Sequence, residues 1–220
     1  MNILITGVSK GIGRALLKVS LNSDKYSKVF ACTSTHVPEE FKFHPKLVSI
    51  TLDYLGKTPF DDLEEKIKEE CIDVLINNSG YLFQEKFEDC QVSELKKMFE
   101  INFFGPYQLI QEMLKNLERC EGQIINIGSM GGFQGSSKYM GLSGYSASKA
   151  ALANLSECLA VELESSKVSV NCLALGAVRT EMLKKAFPDY SADISPEEIA
   201  KYILDFSSIG GKLMNGQVIP

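Results

Sequence analysis

Short apolar runs separated by longer stretches of helical periodicity set the narrowest limit on what this chain can become. Seven runs fall at 3–6, 29–33, 47–52, 74–76, 123–127, 168–173 and 217–219. Several lack polar alternation, the pattern of strands covered by helices on both faces. Helical stretches lie at 12–21, 59–70, 93–117, 145–164 and 196–205. The start of the last is spelled out by Ser195 before Pro196, Glu197 and Glu198, a capping hydroxyl followed by proline and first-turn acids. Strand and helix in alternation require crossovers. Right-handed crossovers then give an α/β, doubly wound, Rossmann-like parallel sheet of expected order 3-2-1-4-5-6-7, with helices on both faces.

A chain of 220 residues, 45% hydrophobic, has room for one sizeable core, and no repeat or linker divides it, so 1–220 reads as a single domain. The six cysteines at 32, 71, 90, 120, 158 and 172 form no Cys-x-x-Cys pair, and with two histidines no metal site is expected. They read as buried reduced thiols. There is no signal stretch and no run of 18 apolar residues, so a cytoplasmic location without a membrane partner is expected. A net charge of -5 without a basic cluster speaks against nucleic acid.

The first run feeds Thr6-Gly-Val-Ser-Lys-Gly-Ile-Gly13. Gly7, Gly11 and Gly13 at a strand-to-helix turn let backbone approach a phosphate while free N–H groups point at it from the helix start. A glycine-rich turn without a ligand is the plainer alternative for that segment alone. Asn77-Asn-Ser-Gly80 closes the fourth run. Asn102 sits among apolar neighbours in a helix, where a polar side chain is conspicuous. Ser129 ends the fifth run, at the carboxyl edge where doubly wound sheets bind ligands. Tyr145 and Lys149, spaced i, i+4, share one helix face. That spacing is common by chance; in this company it pairs a phenol with an ammonium able to favour its phenolate.

In order, the glycine loop, the Asn-Asn-Ser-Gly turn, Ile101-Asn102, Gly128-Ser129, the Tyr145/Lys149 pair and Leu175-Gly-Ala-Val-Arg-Thr180 resemble the short-chain dehydrogenase/reductase family in its compact form. The Gly-x-x-x-Gly-x-Gly spacing is that family's pattern rather than the commoner Gly-x-Gly-x-x-Gly. The resemblance implies a nicotinamide-dependent oxidoreductase acting on a small carbonyl or alcohol substrate. Tyr145 would donate the proton, Lys149 would hold the nicotinamide ribose, Ser129 would position the carbonyl, and Asn102 would bend its helix and anchor a proton-relaying water. Ser9, Lys10 and Ile12 join the three glycines as cofactor-binding candidates, with Ser34, Asp53, Asn78, Gly80, Gly176, Val178 and Thr180. Asp53 resembles the adenine-contacting acid, a helix-capping role being the alternative. Two departures stand out. Ser129 precedes Tyr145 by 16 positions, about three more than usual, so Ser136 or Ser137 is an alternative, and Leu175 replaces the usual proline before Gly176.

NADP(H) is favoured over NAD(H), because no acid occupies Ala31-Cys-Thr-Ser-Thr-His36, where an NAD enzyme places one, while Thr33, Ser34, Thr35 and Lys10 could meet a 2′-phosphate. The glycine- and serine-rich stretch 131–144 reads as a loop beside the site, and a short substrate lid is expected near 181–200. Met130, Phe133, Met140, Met182, Leu183 and Phe187 are candidate pocket liners. The apolar helix from Tyr145 looks buried on both sides, which predicts a homodimer, with a tetramer the alternative. A cofactor-sensing regulatory protein without turnover is the competing reading from another class; it would need the cradle but no proton donor.

Overall fold

The expected alternation is realised as seven parallel strands in one sheet, ordered β3-β2-β1-β4-β5-β6-β7. The computed structural model of the chain describes residues 1–209 and 213–220 in full and residues 210–212 as helix backbone alone. In chain order the elements are β1 (Asn2–Thr6), α1 (Gly11–Leu21), β2 (Lys28–Thr33), β3 (Leu47–Thr51), α2 (Asp61–Ile67), β4 (Val74–Asn77), α3 (Val92–Phe99), α4 (Gly105–Glu118), β5 (Gln123–Ile127), α5 (Ser143–Glu162), β6 (Ser169–Leu173), α6 (Glu181–Ala186), α7 (Pro196–Leu213) and β7 (Val218–Ile219).

The missing polar alternation has the anticipated cause. Ile3 and Ile5 of β1 face a core shared with α1 and α7, while Leu4 faces a second core built with α2 and α4, so both faces of the strand are apolar. In register, Leu4 lies between Phe30 and Leu75. Buried polar groups tie the layers: Asn77 Nδ2 donates to Asn126 Oδ1 (2.8 Å), and Asn126 Nδ2 to Ser156 Oγ on α5 (2.9 Å). α7 begins with a reciprocal capping box, Glu198 N–H donating to Ser195 Oγ (3.2 Å) and Ser195 N–H to Glu198 Oε2 (2.8 Å).

Three expectations are corrected. The helix read as 93–117 is broken into α3 and α4 by a π-helical turn, Glu100–Phe104, where Pro106 can donate no N–H to a continuous ladder. The helix read as 196–205 continues to Leu213, packed against α1. Within the single chain one face of α5 is open, with Ala147, Ala150, Asn154, Cys158 and Val161 exposed along it. The cysteines are not all buried thiols. Cys71 and Cys120 form a disulfide, Cys158 is exposed, Cys90 half-buried, and only Cys32 and Cys172 are buried and free.

Gly105 opens α4 beneath the ring of Tyr54, where an added Cβ would come within 2.5 Å of ring carbons. Gly105→Ala is therefore expected to cost about 1–3 kcal/mol through overpacking, read as a lowered midpoint of urea unfolding; an unchanged midpoint would show that the ring moves aside freely.

Candidate active site

The sheet order reverses between β1 and β4, the switch point at whose carboxyl ends doubly wound sheets bind ligands. Gly7 and Gly11 adopt left-handed φ values of 72° and 54° as β1 turns into α1. Gly13 has no space for any side chain: a Cβ would lie 2.0 Å from the Gly7 carbonyl oxygen and 2.6 Å from Asn78 Nδ2. Asn78 is the staple of this turn. Its Nδ2 donates to the carbonyls of Thr6 (2.9 Å) and Gly7 (3.3 Å), and Thr6 Oγ1 accepts from the backbone N–H groups of Asn78 (3.0 Å) and Ser79 (2.9 Å). The result is a backbone cradle at the start of α1, with Ser9 and Ile12 half-buried and Lys10 exposed at the helix N-cap. Across it, Thr180 caps α6 by accepting from Leu183 N–H (3.2 Å), and its methyl lies 3.5 Å from where a Gly11 Cβ would be. Gly176 borders open space and Val178 is buried. A phosphate-bearing ligand fits this cradle by shape and by donor chemistry.

At the second-strand end, Ser34 and Thr35 are exposed, whereas Thr33 is buried with its hydroxyl beside that of Thr35 (3.3 Å). Asp53 accepts from Leu55 N–H (3.1 Å), holding the turn that follows β3.

The chemistry-bearing groups converge on the same edge. Lys149 is 4% exposed, its Nζ donating to the Ile127 carbonyl at 2.7 Å. Burial pulls its pKa down to about 8, with the Cys172 thiol pushing weakly the other way. Desolvation raises the Tyr145 phenol, and the Ser129 hydroxyl beside it opposes that shift. The expected lowering by Lys149 is not seen: desolvation prevails, and the ammonium is turned to the Ile127 carbonyl. A Cβ on Gly80 would stand 3.7 Å from Lys149 Nζ and 3.6 Å from Asn102 Oδ1, so Gly80 forms the floor between them.

Asn102 lies in the π-turn, fully buried and fully committed. Its Oδ1 accepts from Tyr81 N–H (2.8 Å), and its Nδ2 donates to the Tyr81 carbonyl (2.9 Å) and to Ser148 Oγ (2.9 Å). Ser148 in turn donates to the Tyr145 carbonyl (2.8 Å). Of the serines weighed against one another, half-buried Ser129 stands beside the Tyr145 phenol and accepts from Gly131 N–H (3.1 Å), whereas Ser136 Oγ is spent on the Met130 and Phe133 carbonyls and Ser137 is exposed. The longer loop is folded back rather than extended. Lys138 Nζ gathers the Gly131 and Phe133 carbonyls and Ser136 Oγ at 2.7–2.9 Å. The Tyr139 ring then meets Phe187, just past α6, at 6.0 Å between centroids. A cavity of about 700 Å³ opens beside this loop, walled by Phe87, Tyr139, Met140 and Leu142 with Lys86 and Glu88.

Thr6, Tyr81 and Ser148 were missed in the sequence. Thr6 was legible as a polar residue ending a buried strand, and Ser148 as a hydroxyl one turn from Tyr145; Tyr81 carries no signal, since Asn102 holds its backbone.

A glycine turn at the start of α1, facing a half-buried phenol and hydroxyl and a buried ammonium, sits on a fold of the doubly wound α/β class. Residues 1–191 match the short chain dehydrogenase family model. Short-chain dehydrogenase virD of Hypocrea virens is 34% identical over 188 residues, 82% of this chain and 63% of that protein, so the chain spans less than two thirds of this relative. The Brucella melitensis 3-ketoacyl-(acyl-carrier-protein) reductase complexed with NADH shares the fold at TM-score 0.85 and 18% identity, over 99% of this chain and 95% of the other. A Pseudomonas aeruginosa RhlG/NADP active-site complex matches at TM-score 0.86 and 26% identity, over 100% and 93%. The chain belongs to the short chain dehydrogenase family. Among the described residues, no helix is long and apolar enough to cross a membrane.

A pH prediction follows from Lys149. Between about pH 8 and 10.5 the unfolded chain keeps a proton on this side chain that the folded chain has lost. Stability therefore gains from this group as pH rises through that window, and below it the buried ammonium is a full burden on the fold. Urea unfolding of the ligand-free wild type and of Lys149→Met at pH 7.5 and 10 should show the wild type gaining relative to the variant; parallel changes would mean that Lys149 titrates normally.

Proposed function

We propose that the chain is an oxidoreductase interconverting a carbonyl and an alcohol with a nicotinamide dinucleotide, NADP(H) in preference to NAD(H). What supports it is the grouping at the edge that bears the cradle: the half-buried Tyr145 phenol with the Ser129 hydroxyl beside it, and buried Lys149 donating to the Ile127 carbonyl (2.7 Å). Gly7, Ser9, Gly11, Ile12 and Gly13 would hold the pyrophosphate, Lys10 and Ser34 the 2′-phosphate, Asp53 the adenine, Gly80 and Lys149 the nicotinamide ribose on a turn supported by Asn78, and Gly176, Val178 and Thr180 the carboxamide. The cofactor, when bound, supplies or accepts the hydride. Burial keeps Tyr145 protonated at neutral pH, so it enters the reductive direction as the acid and gives its proton to the substrate oxygen. Ser129 donates to that same oxygen, and preorganised donors of this kind act where charge develops. The Lys149 ammonium stabilises the phenolate left behind. Asn102 positions rather than reacts: its side-chain amide is used up by Tyr81 and Ser148, which fixes the Tyr145 backbone and the bend in the helix. In the oxidative direction the same groups run in reverse.

The NADP(H) preference is supported by exposed Ser34 and Thr35, by the absence of an acid in 31–36, and by exposed Lys10. The apolar wall of the cavity favours a bulky apolar carbonyl, and the Tyr139–Phe187 contact favours the segment near 181–200 as a short lid beside it. The open face of α5, continued by exposed Phe104 and Tyr107, favours a homodimer. A cofactor sensor without turnover has no use for a phenol, a hydroxyl and an ammonium gathered at one edge, which disfavours it.

Tyr145→Phe is expected to retain cofactor binding and to lower turnover about 10²–10⁴-fold; near wild-type turnover removes the phenol from the mechanism. Dissociation constants should place NADPH below NADH for the wild type, with the order erased or reversed in Ser34→Asp by repulsion of the 2′-phosphate. Tighter NADH binding by the wild type would refute the preference.

A further inference from the structure

The disulfide lies at the other end of the sheet from Tyr145. Cys71 and Asp73, two residues apart on the segment entering β4, project to the same side, and Cys120 faces them just beyond the end of α4. The two sulfur atoms and a carboxylate oxygen of Asp73 lie within 4.8 Å of one another, and all three residues are half-buried, open to an ion from solvent. The frame around them holds without the covalent bond. Asn2 Nδ2 donates to the Cys71 carbonyl (2.9 Å), Asn2 N–H to Asp73 Oδ2 (2.6 Å), Ile72 N–H to the Asn116 carbonyl (3.0 Å) and Asn116 Nδ2 to the Glu70 carbonyl (2.7 Å). Reduction therefore leaves two thiols and an oriented carboxylate in place. The carboxyl-terminal end of α4, the negative pole of its dipole, favours a cation there. The hydrogen bond from Asn2 fixes the carboxylate as an outer partner fixes a metal ligand.

The geometry points to a redox-gated zinc site: closed by the Cys71–Cys120 bond when oxidised, and when reduced holding Zn²⁺ through both thiolates and one Asp73 oxygen, with water in the fourth position. A small dithiol supplies two electrons and two protons to the sulfur–sulfur bond and becomes a disulfide itself. Zn²⁺ then displaces the two thiol protons to solvent. Zinc bonds of about 2.3 Å to sulfur and about 2.0–2.2 Å to oxygen require the sulfurs to part. Rotation about the Cα–Cβ bonds provides this at the 6.0 Å separation of the Cα atoms. Neither histidine nor a Cys-x-x-Cys pair takes part, so the sequence carries no zinc signature.

The test uses the full chain, reduced with a dithiol and freed of it, titrated with Co²⁺ as a spectroscopic substitute for zinc. A single bound ion with thiolate-to-cobalt charge-transfer absorption is expected, displaced by equimolar Zn²⁺ and absent from the oxidised protein. Cys120→Ser should remove the band. Asp73→Asn keeps an acceptor for the Asn2 N–H and should weaken Co²⁺ binding at least about tenfold, with turnover unchanged. If Cys120→Ser does not fold, the reduced wild type still decides: Zn²⁺ should shield two thiols from a modifying reagent. No band in the reduced wild type, a band that survives Cys120→Ser, equal binding by oxidised protein, unshielded thiols, or wild-type affinity in Asp73→Asn would each overturn the site.

Discussion

The hydrogen bonds joining the ends of β1 and β4 are the constraint on which the rest of this site depends. Where neighbouring parallel strands send their helices to opposite faces, their carboxyl ends must part, and backbone groups that would have paired lose their partners. Here Asn78 and Thr6 answer that loss. The Asn78 amide takes the Thr6 and Gly7 carbonyls, and the Thr6 hydroxyl takes two N–H groups from the other side. The same bonds leave the N–H groups at the start of α1 facing outwards. Asn78 thus serves the cradle from behind it, and its side chain is engaged before any ligand arrives.

Desolvation dominates the chemistry-bearing groups. Tyr145 is shifted towards its neutral form by burial, and so is Lys149, which reverses the simple picture of a phenol acidified by its neighbour. A phenol that stays protonated is suited to giving up its proton only when charge appears on another atom, and a lysine near neutrality responds readily to that charge. The groups around them are neutral dipoles: the Ile127 carbonyl, the Ser129 hydroxyl and the Asn102 amide. Preorganised dipoles need little rearrangement as charge moves.

The architecture was legible because each strand is buried on both faces and so writes an uninterrupted apolar run, and because the capping box at Ser195 obeys local rules. The glycine loop and the Tyr145/Lys149 pair were legible for the same reason: their spacing is set by one turn of chain. What escaped depends on distant partners. The π-turn at 100–104 arises from Asn102 reaching Tyr81 across 21 positions and from Pro106. The sulfur pairing spans 49 positions.

The contact between Tyr139 and Phe187 joins two segments that the chain order keeps far apart, the loop after β5 and the end of α6. One side of the entrance is latched by Lys138, and the other is anchored by Thr180 at the cradle. The ring contact makes the two walls a single piece. Their sequences are consequently not free to drift independently: a change of ring size at 139 alters the seat of 187, and through it the helix that Thr180 caps. Selection acting on either segment is then felt by the other.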